Sequence, residues 1–247
     1  MIELRSVQRT YLKASETIIA LRDVTLTVKD GEFLAIHGPS GSGKSTLLNV
    51  LGCLDRPTTG QVFVDGVDTW KLRDAQLSRL RNRTVGFVFQ AFNLIAGLTV
   101  TENVELPLVY AGVGGRRRRE LTLRALDRVD MRQRADHPAE LLSGGEQQRA
   151  AIARALVNNP RVILADEPTG SIDRVNADQV LSLLRDLHSA GRTVVVVTHD
   201  AKVARAAERV VPLVDGVIVQ PVDPHAMATP SPVRPVAQPA PTHGTIE

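Results

Sequence analysis

The chain has 247 residues, 43% hydrophobic and 23% charged, and its 30 basic and 27 acidic side chains leave a formal net charge of +3. That composition fits a globular chain of one large or two small domains, excludes a collagen-like or wholly disordered polymer, and is too weakly basic to argue for nucleic acid. The single cysteine, Cys53, excludes a disulfide scaffold or a cysteine-ligated metal site within one chain and fits a reducing compartment. No apolar run approaches the roughly 18 residues a spanning helix needs, and the first residues lack the apolar stretch of a secretory signal. The sequence therefore predicts a cytosolic chain that reaches a membrane only through a partner.

Strand-like runs at 18–28 and 32–37 are followed by a helix at 44–54, a strand at 61–64, a helix at 77–83 and a strand at 85–89. Helical spacing then occupies 100–110, 121–129 and 146–158. A strand at 161–165, a helix at 176–190, a strand at 193–198, a helix at 201–207 and a strand at 209–214 complete the pattern. Strands alternating with helices in the first and last thirds predict an α/β chain with a mainly parallel sheet and crossover helices. The middle, about 91–158, reads as an inserted or appended helical lobe. Arg116, Arg117, Arg118 and Arg119 open one lobe helix; they are read as solvent-facing, with contact to lipid headgroups or nucleic acid as the other reading. Seven of the fourteen prolines fall in 221–247, which predicts a disordered tail, either solvated or a docking segment.

Gly38, Pro39, Ser40, Gly41, Ser42, Gly43, Lys44 and Ser45 fit the phosphate-loop pattern, between an apolar strand and a helix that Thr46 continues. The glycines let successive N–H groups curl inward toward phosphate oxygens, and the helix N-terminus adds positive potential. Lys44 supplies an ammonium for the terminal phosphates, and the Ser45 hydroxyl is placed to ligate Mg²⁺. The apolar strand at 161–165 ends in Asp166 and Glu167. Asp166 is read as the carboxylate that serves the metal, and Glu167, pointing elsewhere, as the one that polarises an attacking water.

Leu142-Ser143-Gly144-Gly145-Glu146-Gln147-Gln148-Arg149 opens the helix at 146–158. Locally it reads as a capping box, with Ser143 as N-cap and Glu146 three residues on. That reading leaves the two glycines unexplained. Bare glycines at a helix start let a phosphate reach exposed N–H groups, so Ser143, Gly144 and Gly145 also read as a second phosphate surface.

Together with the phosphate loop and the Asp166-Glu167 pair, this octapeptide resembles the signature of the ATPase subunits of ABC transporters, over about residues 1–219. The resemblance implies a P-loop NTPase (RecA-like) core at about 1–90 and 159–220, an N-terminal antiparallel β subdomain, an inserted all-helical subdomain at about 91–158, and ATP and Mg²⁺ as ligands. It implies that Tyr11 stacks on adenine. It also implies that Gln90, ending the strand VGFVFQ, senses Mg²⁺ and the attacking water, that Asp173 lies in a loop crossing a dimer interface, and that His199 contacts the γ-phosphate. Taken alone, Tyr11 also fits an ordinary half-buried tyrosine and His199 a structural histidine. Two such subunits facing head to tail would sandwich ATP between the P-loop of one and Ser143-Gly144-Gly145 of the other, which implies a homodimer.

Gly86 to Leu94 running into LTVTENVELPL, with Gly52 to Thr58 and Asp166 to Gly170, is similar to the macrolide-export and lipoprotein-releasing branch, with cell-division homologues nearby. The resemblance implies a membrane permease partner received by the segment 92–104, from Phe92 to Val104, and a place on the inner face of the membrane through that partner. The same segment also reads as lobe core. The rival class, a soluble ABC ATPase acting on nucleic acid, would carry heptads between the two halves; Ser45 and Leu142 stand only 97 positions apart with none sustained, so no nucleic-acid partner is expected.

Overall fold

A computed structural model describes residues 1–13 and 16–220. The expected disorder of 221–247 lies outside the described residues.

The parallel sheet is made of β3 (Phe33–His37), β6 (Val85–Val88), β7 (Val162–Asp166), β8 (Thr193–Thr198) and β9 (Arg209–Val214), with β10 (Val217–Ile218) antiparallel at one edge. Its order is β10-β9-β3-β8-β7-β6, and every pairing other than β10 with β9 is parallel. These strands read as unbroken apolar runs because both faces are covered. Phe33, Ala35, Ile163, Ala165, Val194 and Val196 face one core; Leu34, Ile36, Val162, Leu164, Val195 and Val197 face the other. The first core continues into the helical segment. The second lies beneath a four-stranded antiparallel sheet of order β2-β1-β4-β5, built from β1 (Ile2–Lys13), β2 (Glu16–Val28), β4 (Thr59–Val64) and β5 (Val67–Asp68).

The sequence pattern predicts no strand before residue 18, yet β1 runs for 12 residues. The reason is a bulge. Ile2, Leu4 and Val7 are all buried, but Ser6 takes φ 47° and the pairing with β2 shifts register between Leu4 and Val7, so the two-residue alternation changes phase within the strand.

Helices α1 (Lys44–Leu51) and α2 (Asp74–Thr84) belong to the first half, and α6 (Arg174–Ser189) and α7 (Ala201–Ala204) to the last. Between β6 and β7 lie α3 (Val100–Tyr110), α4 (Gly115–Asp127) and α5 (Gly144–Leu156), which share the first core through Val104, Leu108, Ala125, Leu126, Ile152 and Leu156. Thr99 caps α3 by a capping box with Glu102. Arg116 to Arg119 occupy the first turns of α4, where Arg117 pairs with Glu120 and Arg118 with Glu105, so part of their opposition to the helix dipole is offset. No helix among the described residues is long and apolar enough to cross a membrane.

Candidate active site

β3, β7 and β8 are adjacent, so their carboxyl ends bring the loops after His37, Asp166 and Thr198 to one edge. After β3 the chain turns through Gly38–Gly43 and enters α1 at Lys44. Gly38 and Gly43 are demanded by close approach: a Cβ on Gly38 would lie 2.1 Å from the Leu213 carbonyl, and one on Gly43 2.4 Å from that of Ala20. Gly43 is also left-handed at φ 97° and is the N-cap of α1 without any side-chain cap, which leaves the first N–H groups of the helix available to an anion. Lys44 is buried, and its Nζ donates to the carbonyls of Gly38 (2.9 Å) and Pro39 (2.8 Å). Tyr11, Gly41, Gly43, Lys44, Ser45 and Thr46 line a cleft of about 640 Å³ completed by Ile18–Ala20, Arg22, Asp215 and Gly216. Ser40 and Pro39 are exposed at its rim, and the Ser42 hydroxyl is buried without a partner.

Tyr11 is held by two residues that the sequence pattern did not single out for it. Its hydroxyl donates to Asp55 Oδ2 (2.7 Å), Arg9 Nε donates to the same oxygen (2.8 Å), and the Arg9 guanidinium lies 4.4 Å over the ring. Arg9 and Tyr11 share one face of β1 at two-residue spacing, which is the only local sign of the cluster.

Asp166 ends β7, and one of its carboxyl oxygens, Oδ1, is buried without a hydrogen-bond partner among the described residues. Burial pushes its pKa above the ordinary carboxylate value; the Ser45 hydroxyl and Lys44 pull it down and Glu167 pushes it further up. An orphaned carboxylate oxygen beside a hydroxyl is an all-oxygen donor set suited to Mg²⁺, which commonly takes one or two protein ligands and fills its remaining positions with phosphate and water. No cluster of three or more His, Cys, Asp or Glu ligands occurs among the described residues.

Glu167 is left-handed at φ 42°, so its side chain leaves the direction set by β7. Its backbone N–H donates to Val197 O (2.9 Å), and its carboxylate faces the end of β8. Oε1 accepts from the His199 backbone N–H (3.0 Å) and lies 2.8 Å from His199 Nδ1, while Oε2 accepts from Thr198 Oγ1 (3.2 Å). An ionised carboxylate only accepts, so the ring proton sits on Nδ1 in this pair. Gln90 does not end a strand. β6 stops at Val88, and Gln90 stands in the turn beyond it, its amide nitrogen 3.0 Å from where a Cβ on Gly170 would be. Gly170 closes the turn that starts at Glu167, its N–H donating to Glu167 O (3.0 Å), so Gln90 is brought against the loop that carries Glu167.

Ser143 caps α5. Its Oγ accepts from Glu146 N–H (3.4 Å), and Glu146 Oε2 accepts from the Ser143 N–H (2.9 Å) and hydroxyl (2.8 Å). These bonds hold the Glu146 carboxyl below its ordinary pKa. The capping box is therefore present, and the two glycines divide. A Cβ on Gly145 would lie 2.1 Å from Asn176 Oδ1, so a side chain there requires the Asn176 amide to move away from Arg149 and Asp173. Gly144 has nothing closer than 3.5 Å to such an atom, so the space beside it is open. The polar residues behind them also have partners: Gln148 donates to Pro168 O (2.7 Å) and Arg149 to Asn176 (3.0 Å) and Gln179 (3.1 Å). Asp173 caps α6 and accepts from Asn176 Nδ2 (2.5 Å). Ser143, Gly144, Gly145 and Asp173 thus share one neighbourhood through Asn176, and none of them lines the P-loop cleft of its own chain.

The model of the family described as ABC transporter matches residues 21–170, from the middle of β2 through the P-loop and the octapeptide to the loop after Glu167. The chain belongs to the ABC transporter family. An uncharacterised ABC transporter ATP-binding protein of Methanocaldococcus jannaschii, MJ0796, is 51% identical to this ABC chain over 221 residues, covering 87% of this chain and 94% of the relative. The macrolide export ATP-binding/permease protein MacB of Rhodospirillum rubrum is 51% identical over 220 residues, but the match covers 34% of that longer protein. Among solved structures, the dimeric post-hydrolysis state of MJ0796 bound to ADP and Pi superimposes with a TM-score of 0.85 at 48% identity, covering 90% of this chain and 98% of that one.

This ABC chain carries a second, larger cleft of about 950 Å³ where α2 and β6 meet α3 and α5. Arg79, Arg83, Phe89, Ile95 and Tyr110 are among its lining residues. Of the expected docking segment 92–104, only Asn93 and Ile95 face it; Val100 and Val104 are fully buried in the first core, because they form the inward face of α3. The lobe-core reading of that segment holds for those two residues, and the groove is lined by residues of α2, β6, the C-terminal half of α3 and the end of α5 together with Asn93 and Ile95.

Proposed function

We propose that this chain is the ATP-hydrolysing subunit of an ABC transporter, that two copies close head to tail on ATP, and that closure drives a membrane permease seated in the 950 Å³ groove. One observation carries the reading: the chain holds two surfaces suited to phosphate, the P-loop cleft and the open Gly144 end of α5, and the second takes no part in lining the first. A second copy supplies what each cleft lacks. The dimer in which MJ0796 was solved with ADP and Pi supports this arrangement, and the ATP-binding/permease make-up of MacB supports a membrane partner of the export kind.

In this reading Tyr11 stacks on the base while the Gly38–Gly43 amides and the Ser45 and Thr46 end of α1 hold the phosphates. Lys44, now spent on the Gly38 and Pro39 carbonyls, turns its ammonium to the terminal phosphate, a stronger charge-assisted partner. Ser45 and Asp166 would hold Mg²⁺, with Gln90 beside them, and the ion would offset phosphate charge. Glu167 accepts the proton of the attacking water, and His199 fixes the orientation of its carboxylate. Ser143 and Gly144 of the second copy close over the γ-phosphate and Asp173 lies at the join.

Complementation tests the reading. Lys44→Ala spoils the P-loop and Ser143→Arg the opposing surface, and each variant alone is expected to be nearly inactive. Mixed in equal amounts, half of the pairs carry one intact composite site, and phosphate release is expected to return to a sizeable fraction of wild type. A mixture no more active than its parts would refute the head-to-tail site.

A further inference from the structure

α5 ends close to the groove with a guanidinium that no carboxylate among the described residues answers. Arg154 is half-buried, and among the described residues its hydrogen-bond acceptors are two backbone carbonyls: Nη2 donates to Phe92 O (2.7 Å) and Nη1 to Asn93 O. Burial holds its pKa below the ordinary guanidinium value. A guanidinium keeps its proton in a protein, so this positive charge depends on carbonyl dipoles for compensation.

The two carbonyls belong to an unusual piece of backbone. Phe92 (φ 59°) and Asn93 (φ 50°) are consecutive non-glycine residues in the left-handed region. Such conformations persist only where the surroundings enforce them. The turn is tight, with Phe92 N–H donating to Phe89 O (3.1 Å) and Asn93 N–H to Ala91 O (2.6 Å). Gln90 lies inside it and points at Gly170, next to the Glu167 loop. Arg154 also lines the groove, as does Asn93. One planar fork therefore grips the strained turn beside the groove, and the same turn carries Gln90 against Gly170. A lysine cannot reproduce this, because its single ammonium does not span two carbonyls in fixed geometry.

We propose that Arg154 is a positioning residue: it locks the turn 90–93 from the floor of the groove and so sets where Gln90 stands relative to Glu167. This rests on the reading of Gln90 as a site residue under the proposed function.

A double-mutant cycle in the full-length protein separates this from a merely structural role. Arg154→Met keeps the apolar stem, and Gln90→Ala removes the positioned group. Gln90→Ala alone is expected to lower kcat, and Arg154→Met alone to lower it by roughly 10-fold to 10²-fold while KM for ATP moves less than about threefold. If Arg154 works through Gln90, the double variant is no slower than Gln90→Ala alone. Multiplicative losses overturn the proposal. An unchanged kcat in Gln90→Ala overturns the assignment of Gln90 itself, which is a distinct result. Should Arg154→Met fail to fold, Arg154→Lys carries the same cycle, and hydrogen exchange at amides 90–94 gives a second readout: faster exchange confined to that turn supports the lock, and unchanged exchange with wild-type kcat sinks it.

Discussion

Glu167 and His199 are joined twice through one oxygen. Oε1 of the carboxylate takes the backbone N–H of His199 at 3.0 Å and faces the ring Nδ1 at 2.8 Å, while Thr198 holds the other oxygen. The carboxylate is therefore oriented from the end of β8 and does not swing on its own loop. Removing the ring by His199→Ala leaves the backbone bond and is expected to lower kcat about 10²-fold with KM for ATP nearly constant. Glu167→Gln keeps the shape and removes the base, so nucleotide binding should survive while turnover falls by at least that factor. Phosphate-release kinetics alongside nucleotide titration check both, and near wild-type turnover in Glu167→Gln would remove the base from that position.

Asp55 is expected to control nucleotide affinity without touching phosphate. It orients Tyr11 and Arg9 together, and Arg9 covers one face of the ring. Asp55→Asn weakens both bonds, and with the ring no longer fixed ATP affinity should drop by about 2-fold to 10-fold, the scale of one well-placed aromatic contact. Fluorescent-nucleotide titration gives the value. Tyr11→Ala should cost at least as much, and if Asp55→Asn bound ATP like wild type, the hydroxyl tether would have no functional weight.

The two glycines of the α5 terminus should separate in experiment. Gly145→Ala displaces the Asn176 amide from Arg149 and Asp173 and is expected to cost about 0.5–1.5 kcal/mol of stability, visible as a lowered Tm. Gly144→Ala meets nothing within 3.5 Å and should unfold like wild type, yet slow ATP-driven pairing measured by light scattering. A normal Tm in Gly145→Ala would contradict the packing at Asn176.

Asp166 carries a stability cost with a defined pH sign. Burial raises its pKa in the folded chain above the value near 3.9 of an unfolded aspartate. The native state therefore holds the proton more tightly than the unfolded state, and its relative stability falls as pH rises through the interval between the two values. Asp166→Asn removes that loss. In the absence of nucleotide and metal, the variant should melt higher than wild type at pH 7, with the gain vanishing as the solution is acidified below the unfolded value. ATP turnover should be lost at the same time. A Tm at pH 7 equal to or below wild type would contradict the burial cost.

The sequence alone determined the parts of the site that are built locally. A glycine loop from an apolar strand into a helix must expose its amides to an anion, and the segment 38–45 does this wherever the chain places it. Asp166 and Glu167 at the end of an apolar strand, and the capping box of Ser143 and Glu146, are equally local. Only the tertiary structure decided what surrounds them. Asn176, thirty-one positions from Gly145, fills the space a side chain there would take, and Asp55, forty-four positions from Tyr11, fixes the ring. Arg154 reaches across sixty-two positions to Phe92, and the bulge at Ser6 hides β1 from any two-residue pattern. Each of these depends on close packing or a hydrogen bond between segments remote along the chain. Periodicity and motif spacing report only what neighbouring residues impose on one another, and the remote partner is chosen when the two cores close.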